Sequence, residues 1–111
     1  MAEERRAYPR CRIRQMMEVS PMREKTISAE SVNISEGGVF CRSDEPVEPL
    51  TSVFLMLSVP GEAGDHLIKV EGVVMHAAQK EGSCFFGVAF NELSQEDRRA
   101  ISEYLANCAP E

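Results

Sequence analysis

The residues best suited to chemistry stand near the start of the chain, in the stretch RRAYPR. Its three arginines are Arg5, Arg6 and Arg10. A guanidinium group is charged at every physiological pH, pairs with phosphates through parallel hydrogen bonds and stacks on flat rings. The stretch is suited to binding a phosphate-bearing ligand, and it is equally typical of a solvated charged segment that pairs with acidic groups elsewhere.

The charge of the chain is distributed unevenly. The net charge is -6, yet residues 1–25 carry seven basic and four acidic side chains, whereas residues 26–111 carry five basic and fourteen acidic ones. A protein that binds DNA or RNA over a broad face needs basic residues across the body of the fold. We therefore expect no nucleic-acid partner, and a small anionic ligand held by the arginines fits the pattern better.

A second candidate group is the turn NISEGG, which contains Asn33, Ser35, Gly37 and Gly38. The Asn33 amide can accept and donate hydrogen bonds, and the Ser35 hydroxyl can donate to a phosphate or brace the turn. The two glycines allow positive φ and a close approach of the backbone to a ligand. Taken alone, the turn is more typical of a plain Asn/Gly loop than of a binding site.

Short segments of alternating apolar and polar residues surround both groups and predict strands. Six of them follow one another, at residues 11–19, 26–34, 39–43, 53–59, 66–78 and 84–90. Gln15 departs from the alternation of the first segment, and Gly72 and Gly87 indicate a bulge or bend in the fifth and sixth. Strands of this length and spacing predict a small antiparallel barrel or sandwich.

The last segment changes period and predicts a helix. Ser94, with Asp97 three residues later, is typical of a helix start. Four residues then recur at spacings of three and four and share one face: Ile101, Tyr104, Leu105 and Cys108. The predicted class is therefore all-β with one C-terminal helix, which covers one opening or edge of the strands.

Composition predicts a single small domain. A chain of 111 residues is long enough for one modest core. The longest clear apolar run, residues 53–57, is too short to cross a membrane, and no apolar stretch follows the charged N-terminal residues. We therefore expect a cytoplasmic protein without membrane insertion.

Catalytic and metal-binding motifs are lacking from the sequence. It contains no nucleophile elbow, P-loop, GxGxxG or HExxH, so we expect no enzyme activity and no catalytic residue. His66 and His76 are expected to be structural. The cysteines match no metal template and are expected to be reduced thiols, so no metal is predicted; they are Cys11, Cys41, Cys84 and Cys108.

The two candidate groups together resemble the signature of the PilZ domain family. That family is marked by RxxxR followed some twenty to thirty residues later by [D/N]xSxxG, and the chain has RAYPR and then NISEGG. The stretch FFGVAF is similar to the family's closing strand, so the resemblance covers nearly the whole chain. It implies one domain over residues 1–111, with an arginine arm at 1–10, a six-stranded antiparallel β-barrel at 11–93 and a helix at 94–108.

The resemblance also implies a function, which is to bind the second messenger cyclic di-GMP and signal to a protein partner. The outputs it suggests are motility, pilus assembly or exopolysaccharide production. The chemistry agrees, because arginine matches the O6 and N7 edge of guanine through two hydrogen bonds. The ligand-binding residues implied are Arg5, Arg6, Arg10, Asn33, Ser35, Gly37 and Gly38, and no cofactor beyond this ligand is expected.

Two further expectations follow from the resemblance. Family members with an extra arginine directly before RxxxR tend to bind two stacked ligand molecules, and Arg5 fits that pattern. Some PilZ-like proteins, in contrast, keep the barrel, lose nucleotide binding and act through protein contacts alone. This interaction module is the alternative to a cyclic di-GMP receptor.

Overall fold

A computed structural model describes residues 11–21, through their backbone alone, and residues 27–107. The elements in chain order are β1 (Cys11–Pro21), β2 (Ile27–Ile34), β3 (Gly38–Ser43), β4 (Ser52–Val59), β5 (His66–Lys80), β6 (Ser83–Phe90) and α1 (Gln95–Asn107). The predicted class, all-β with a single C-terminal helix, is confirmed.

The strands form one antiparallel sheet that closes on itself. Their spatial order is β1, β2, β3, β6, β5 and β4, and β4 pairs back onto β1, with Val19 opposite Leu55. Alternate side chains along β2 to β6 point to the inside of the barrel. These inward residues form the core, which includes Ile34, Leu55, Leu57, Ile68, Val74 and Phe86, all of them almost fully buried.

The pairing of the strands is irregular at three places. The β1–β2 register shifts between Arg12 and Gln15, where the sequence alternation fails. The β2–β3 register shifts between Ser31 and Asn33, and the β5–β6 register shifts between Val74 and His76. Such bulges bend a strand and change the direction of the side chains that follow. Two of the three irregularities involve β2, the strand that leads into the NISEGG turn.

The register shift of β5 does not lie at Gly72, where the sequence indicated a bulge or bend. Gly72 lies in regular pairing with Val53, and the register shift comes after Val74. A Cβ atom at Gly72 would lie 2.6 Å from the carbonyl oxygen of Ala89. The glycine is therefore needed because two strands approach each other closely.

The helix α1 is capped and anchored as its sequence predicts. The Asp97 amide donates to the Ser94 hydroxyl over 3.1 Å, and Nε2 of His66 lies 2.8 Å from Oδ1 of Asp97. Ile101 is fully buried, and Tyr104 and Leu105 pack against the core. Cys108, the fourth residue of the predicted apolar face, lies outside the described residues.

Two of the four cysteines belong to the core. Cys41 and Cys84 are free thiols with buried side chains. Burial raises the pKa of the Cys41 thiol to about 12. An uncharged thiol in an apolar interior behaves as a small hydrophobic side chain and is a poor nucleophile.

Candidate ligand-binding site

The turn NISEGG joins the end of β2 to the start of β3. Its backbone closes through a hydrogen bond of 2.9 Å from the Ser35 amide to the Gly38 carbonyl. The Ser35 hydroxyl accepts a hydrogen bond of 3.2 Å from the Gly37 amide and donates over 3.5 Å to the Gly38 carbonyl. Of the two roles that the sequence left open for Ser35, this geometry supports bracing of the turn.

Gly38 is required by the packing of two strands. It pairs with Ala89 on β6, and a Cβ atom at this position would clash with the carbonyl oxygen of Val88. Beside it, the Phe90 amide donates to the Gly37 carbonyl over 2.9 Å. Neither glycine uses the positive φ that its residue type allows, because among the described glycines only Gly64 and Gly82 have positive φ.

Asn33 holds a sheltered position at the end of β2. It lies opposite Arg12 on β1 and opposite Phe40 on β3. Directly opposite residues of an antiparallel pair project to the same face of the sheet. The next pair along, Ile34 with Val39, is buried in the core, so Asn33 and Phe40 project to the outer face. The exposed fraction of Asn33 is nevertheless only 8%.

The three arginines of the first motif, Arg5, Arg6 and Arg10, lie outside the described residues. Strand β1 begins at Cys11, the residue directly after Arg10. Cys11 lies directly opposite Ile34, and Ile34 immediately precedes Ser35. The described start of β1 therefore lies at the same end of the barrel as the NISEGG turn.

The sequence analysis did not identify a cluster of three rings on the outer face of the barrel. The ring centroids of Phe40 and Phe85 lie 6.1 Å apart with an interplanar angle of 21°. The centroids of Phe40 and His76 also lie 6.1 Å apart, at an angle of 40°. Both phenylalanines are half-buried and His76 is exposed. Because Phe40 is opposite Asn33, the ring cluster begins beside the motif.

An ion pair lies at one end of the ring cluster. Arg42 pairs across the sheet with Phe85, and its guanidinium lies 3.3 Å from a carboxylate oxygen of Glu30 and donates to the Ser83 hydroxyl over 3.2 Å. Because this ion pair is exposed, it adds little stability.

Among residues 27–107, no three side chains of the metal-binding types lie together, and no helix there has the length and apolar character needed to cross a membrane.

The sequence matches the model of the PilZ domain over residues 4–107. No curated protein sequence matches the chain. Both signature motifs fall within the matched range.

Solved structures share the fold. Bacillus subtilis MotI/DgrA, an inhibitor of motility, superposes with a TM-score of 0.82 at 23% identity over 93% of this chain and 50% of that protein. The PilZ domain of Escherichia coli YcgR with c-di-GMP gives 0.75 at 11% identity over 95% of this chain and 92% of that one. The K. pneumonia MrkH complex with c-di-GMP superposes with a TM-score of 0.68 at 21% identity. The match covers 94% of this chain and 51% of MrkH. The chain thus spans about half the length of MotI and MrkH.

Proposed function

The chain belongs to the PilZ domain family, and on that premise we propose that it is a cyclic di-GMP receptor that signals to a protein partner. The proposal is supported by the pairing of Cys11 with Ile34, since Arg10 is covalently attached to Cys11 and Ser35 to Ile34. It is also supported by the fold shared with YcgR and MrkH, which were solved with this ligand.

In this proposal the arginines bind the phosphates and the guanine edges. Arg6 and Arg10 lie four residues apart, so in an extended segment their Cα atoms are separated by about 13 Å at most. That span lets two guanidinium groups contact a compact dinucleotide from two sides. The Asn33 amide oxygen can accept from guanine N1–H or N2–H, and an amide brings no charge to oppose the phosphates.

The signal in this proposal is an ordering of residues 1–10. Ligand phosphates draw Arg5, Arg6 and Arg10 against the NISEGG turn, and a partner recognises the surface that results. A ligand shifts such an equilibrium only through contacts that differ between the two states. Charged hydrogen bonds are worth about 1.5–3 kcal/mol each, so a few arginines suffice for micromolar binding. Arg5 supports a stoichiometry of two ligands per chain.

The same proposal implies where the receptor acts and what kind of partner it signals to. A receptor for this messenger acts in the cytoplasm, where it binds and does not catalyse. The acidic body of residues 26–111 argues against DNA or RNA as a partner. The partner is a protein of a motility, pilus or exopolysaccharide system.

The experiment that tests the receptor is a calorimetric titration with cyclic di-GMP. We expect binding with a stoichiometry near two, no binding of GMP or GTP, and affinity at least tenfold lower in Arg6→Ala and Arg10→Ala. Arg99→Ala on α1 removes an exposed arginine far along the chain and should leave the affinity unchanged. A wild-type protein that does not bind cyclic di-GMP would refute the receptor, and a stoichiometry near one would refute the pair of ligands.

One observation favours the alternative, an interaction module that does not bind nucleotide. Ser35 closes the turn and Gly38 allows β3 to pack on β6, so these two motif residues are explained without any ligand. A module of this kind would show no thermal shift with cyclic di-GMP, whereas the receptor would. The same measurement therefore distinguishes the two functions.

A further inference from the structure

A single row of residues crosses the outer face of four neighbouring strands. Asn33 on β2 pairs with Phe40 on β3, Phe40 pairs with Gly87 on β6, and Gly87 pairs with His76 on β5. Neighbouring strands lie about 4.8 Å apart, so the row is about 14 Å long from Asn33 to His76. It joins the motif asparagine to the ring cluster through register pairing alone.

The irregularity in β5 gives His76 its position in this row. Val74 is buried in the core, and strict alternation would bury His76 as well. The extra residue, Met75, shifts the register between Val74 and His76, and His76 is exposed as a result. The bulge therefore turns an imidazole from the inside of the barrel to its outer face.

Gly87 gives the imidazole room to lie over the strand. A Cβ atom on Gly87 would lie 2.7 Å from Nε2 and 2.9 Å from Cε1 of His76. The ring thus occupies the space above the glycine backbone, which brings its centroid to 6.1 Å from that of Phe40. Phe85, two residues before Gly87 on the same strand, lies 6.1 Å from Phe40 between ring centroids and extends the apolar surface.

We propose that Phe40, His76 and Phe85 form a stacking platform for a purine base of the bound ligand, with Asn33 at its edge. This inference rests on the proposed function. Aromatic and histidine rings bind unpaired bases through their faces, which needs no particular base edge. An amide beside the platform adds hydrogen bonds to the guanine edge. The arginines bind the charged part of the dinucleotide, and the platform binds its flat part.

The variants His76→Ala and Phe40→Leu test the platform in calorimetric titrations with cyclic di-GMP. Loss of one stacking ring should weaken binding roughly tenfold. His76→Phe keeps a flat ring above Gly87 and should stay within about threefold of the wild type. Phe54→Ala is the matched control, because Phe54 is an exposed phenylalanine on β4 outside the cluster.

A second measurement reports contact directly. In nuclear magnetic resonance spectra of the complex, guanine H8 should show intermolecular NOEs to ring protons of His76 or Phe40. Unchanged affinity in His76→Ala, or NOEs absent from these rings in a saturated complex, would overturn the platform while leaving the receptor intact. Wild-type protein that binds no cyclic di-GMP would overturn both, and the two failures are thus distinguished.

Discussion

Asn33 on β2 lies directly opposite Phe40 on β3, one step beyond the register shift that follows Ser31. The shift leaves Val32 of β2 without a counterpart on β3. Regular pairing continues with Ile34 and Val39, whose side chains are buried in the core. The motif asparagine is therefore held on the outer face by the geometry of the sheet. A nearly buried amide is usually fixed by hydrogen bonds, which preorganises it for a ligand.

Asn33→Ala should weaken cyclic di-GMP binding about tenfold, because it removes hydrogen bonds to the guanine edge without altering the arginines. Calorimetric titration gives the affinity, and thermal denaturation of the free protein shows whether the fold is retained. Asn91→Ala, an exposed asparagine after β6, is the matched control. Wild-type affinity in a folded Asn33→Ala protein would show that this residue does not contact the ligand.

Gly38→Ala should lower the free energy of unfolding by about 1–3 kcal/mol, since its Cβ would clash with the carbonyl of Val88 and force β3 away from β6. Urea denaturation of the two proteins measures the difference. Gly61→Ala is a milder change for comparison, because the nearest atom to its Cβ is 3.0 Å away, the Gly64 carbonyl oxygen. Equal stability of Gly38→Ala and the wild type would contradict the close packing of the two strands.

The course of the strands and of the helix could be predicted because local patterns determine them. Alternation along Val53–Val59 and the Ser94 cap each involve residues near one another in sequence. The misfit at Gln15 also marked a real irregularity. These features need no knowledge of which strands are neighbours.

The sequence could not predict that the His76 side chain faces outward, or why position 38 needs a glycine. Both depend on contacts between distant parts of the chain. An extra residue in β5 reverses which side chains face outward, and no glycine stands within the bulged part of β5; Gly87, where the sequence indicated a bulge or bend, lies opposite it on β6. Gly38 meets Val88, fifty residues later, only once β3 and β6 have paired. The sequence could show that a glycine was present but not which neighbour required it.

Glu81→Asn should stabilise the protein by about 1 kcal/mol. Glu81 and Gly82 join Lys80 to Ser83 in a two-residue turn, with φ of 54° and 84°. Asparagine tolerates positive φ better than glutamate does, and Asn-Gly is the preferred pair in such turns. Thermal denaturation should show Tm raised by several degrees, with Glu48→Asn, an exposed loop substitution, as the control. A lower Tm would contradict the turn geometry.

Cys41 should make stability fall at high pH. Burial raises the pKa of its thiol from 9.0 to about 12 in the folded protein, so above about pH 9 the unfolded chain loses this proton while the folded one keeps it. The free energy of unfolding then falls by up to about 1.4 kcal/mol per pH unit until the folded pKa is reached. Urea denaturation at several pH values measures the slope.

A Cys41→Val variant separates this effect from other groups that titrate in the same pH range. Valine has no thiol to ionise, so the variant should lose less stability than the wild type between about pH 9 and 12. Parallel slopes for the two proteins would contradict the burial of the thiol. The comparison needs no assumption about lysines and tyrosines, because they are the same in both proteins.

Limited trypsin digestion tests whether ligand binding orders residues 1–10. Trypsin cleaves after arginine in an accessible, extended segment, so cleavage after Arg5, Arg6 and Arg10 should slow several-fold when cyclic di-GMP holds these side chains against the NISEGG turn. Mass spectrometry of the N-terminal fragments follows each site. Cleavage of an unrelated unfolded polypeptide in the same reaction serves as the control, because cyclic di-GMP should not change the activity of trypsin itself. Equal cleavage of the N-terminal arginines with and without saturating ligand would contradict the ordering mechanism, even if the titration shows tight binding, since the ligand would then be held by the barrel alone.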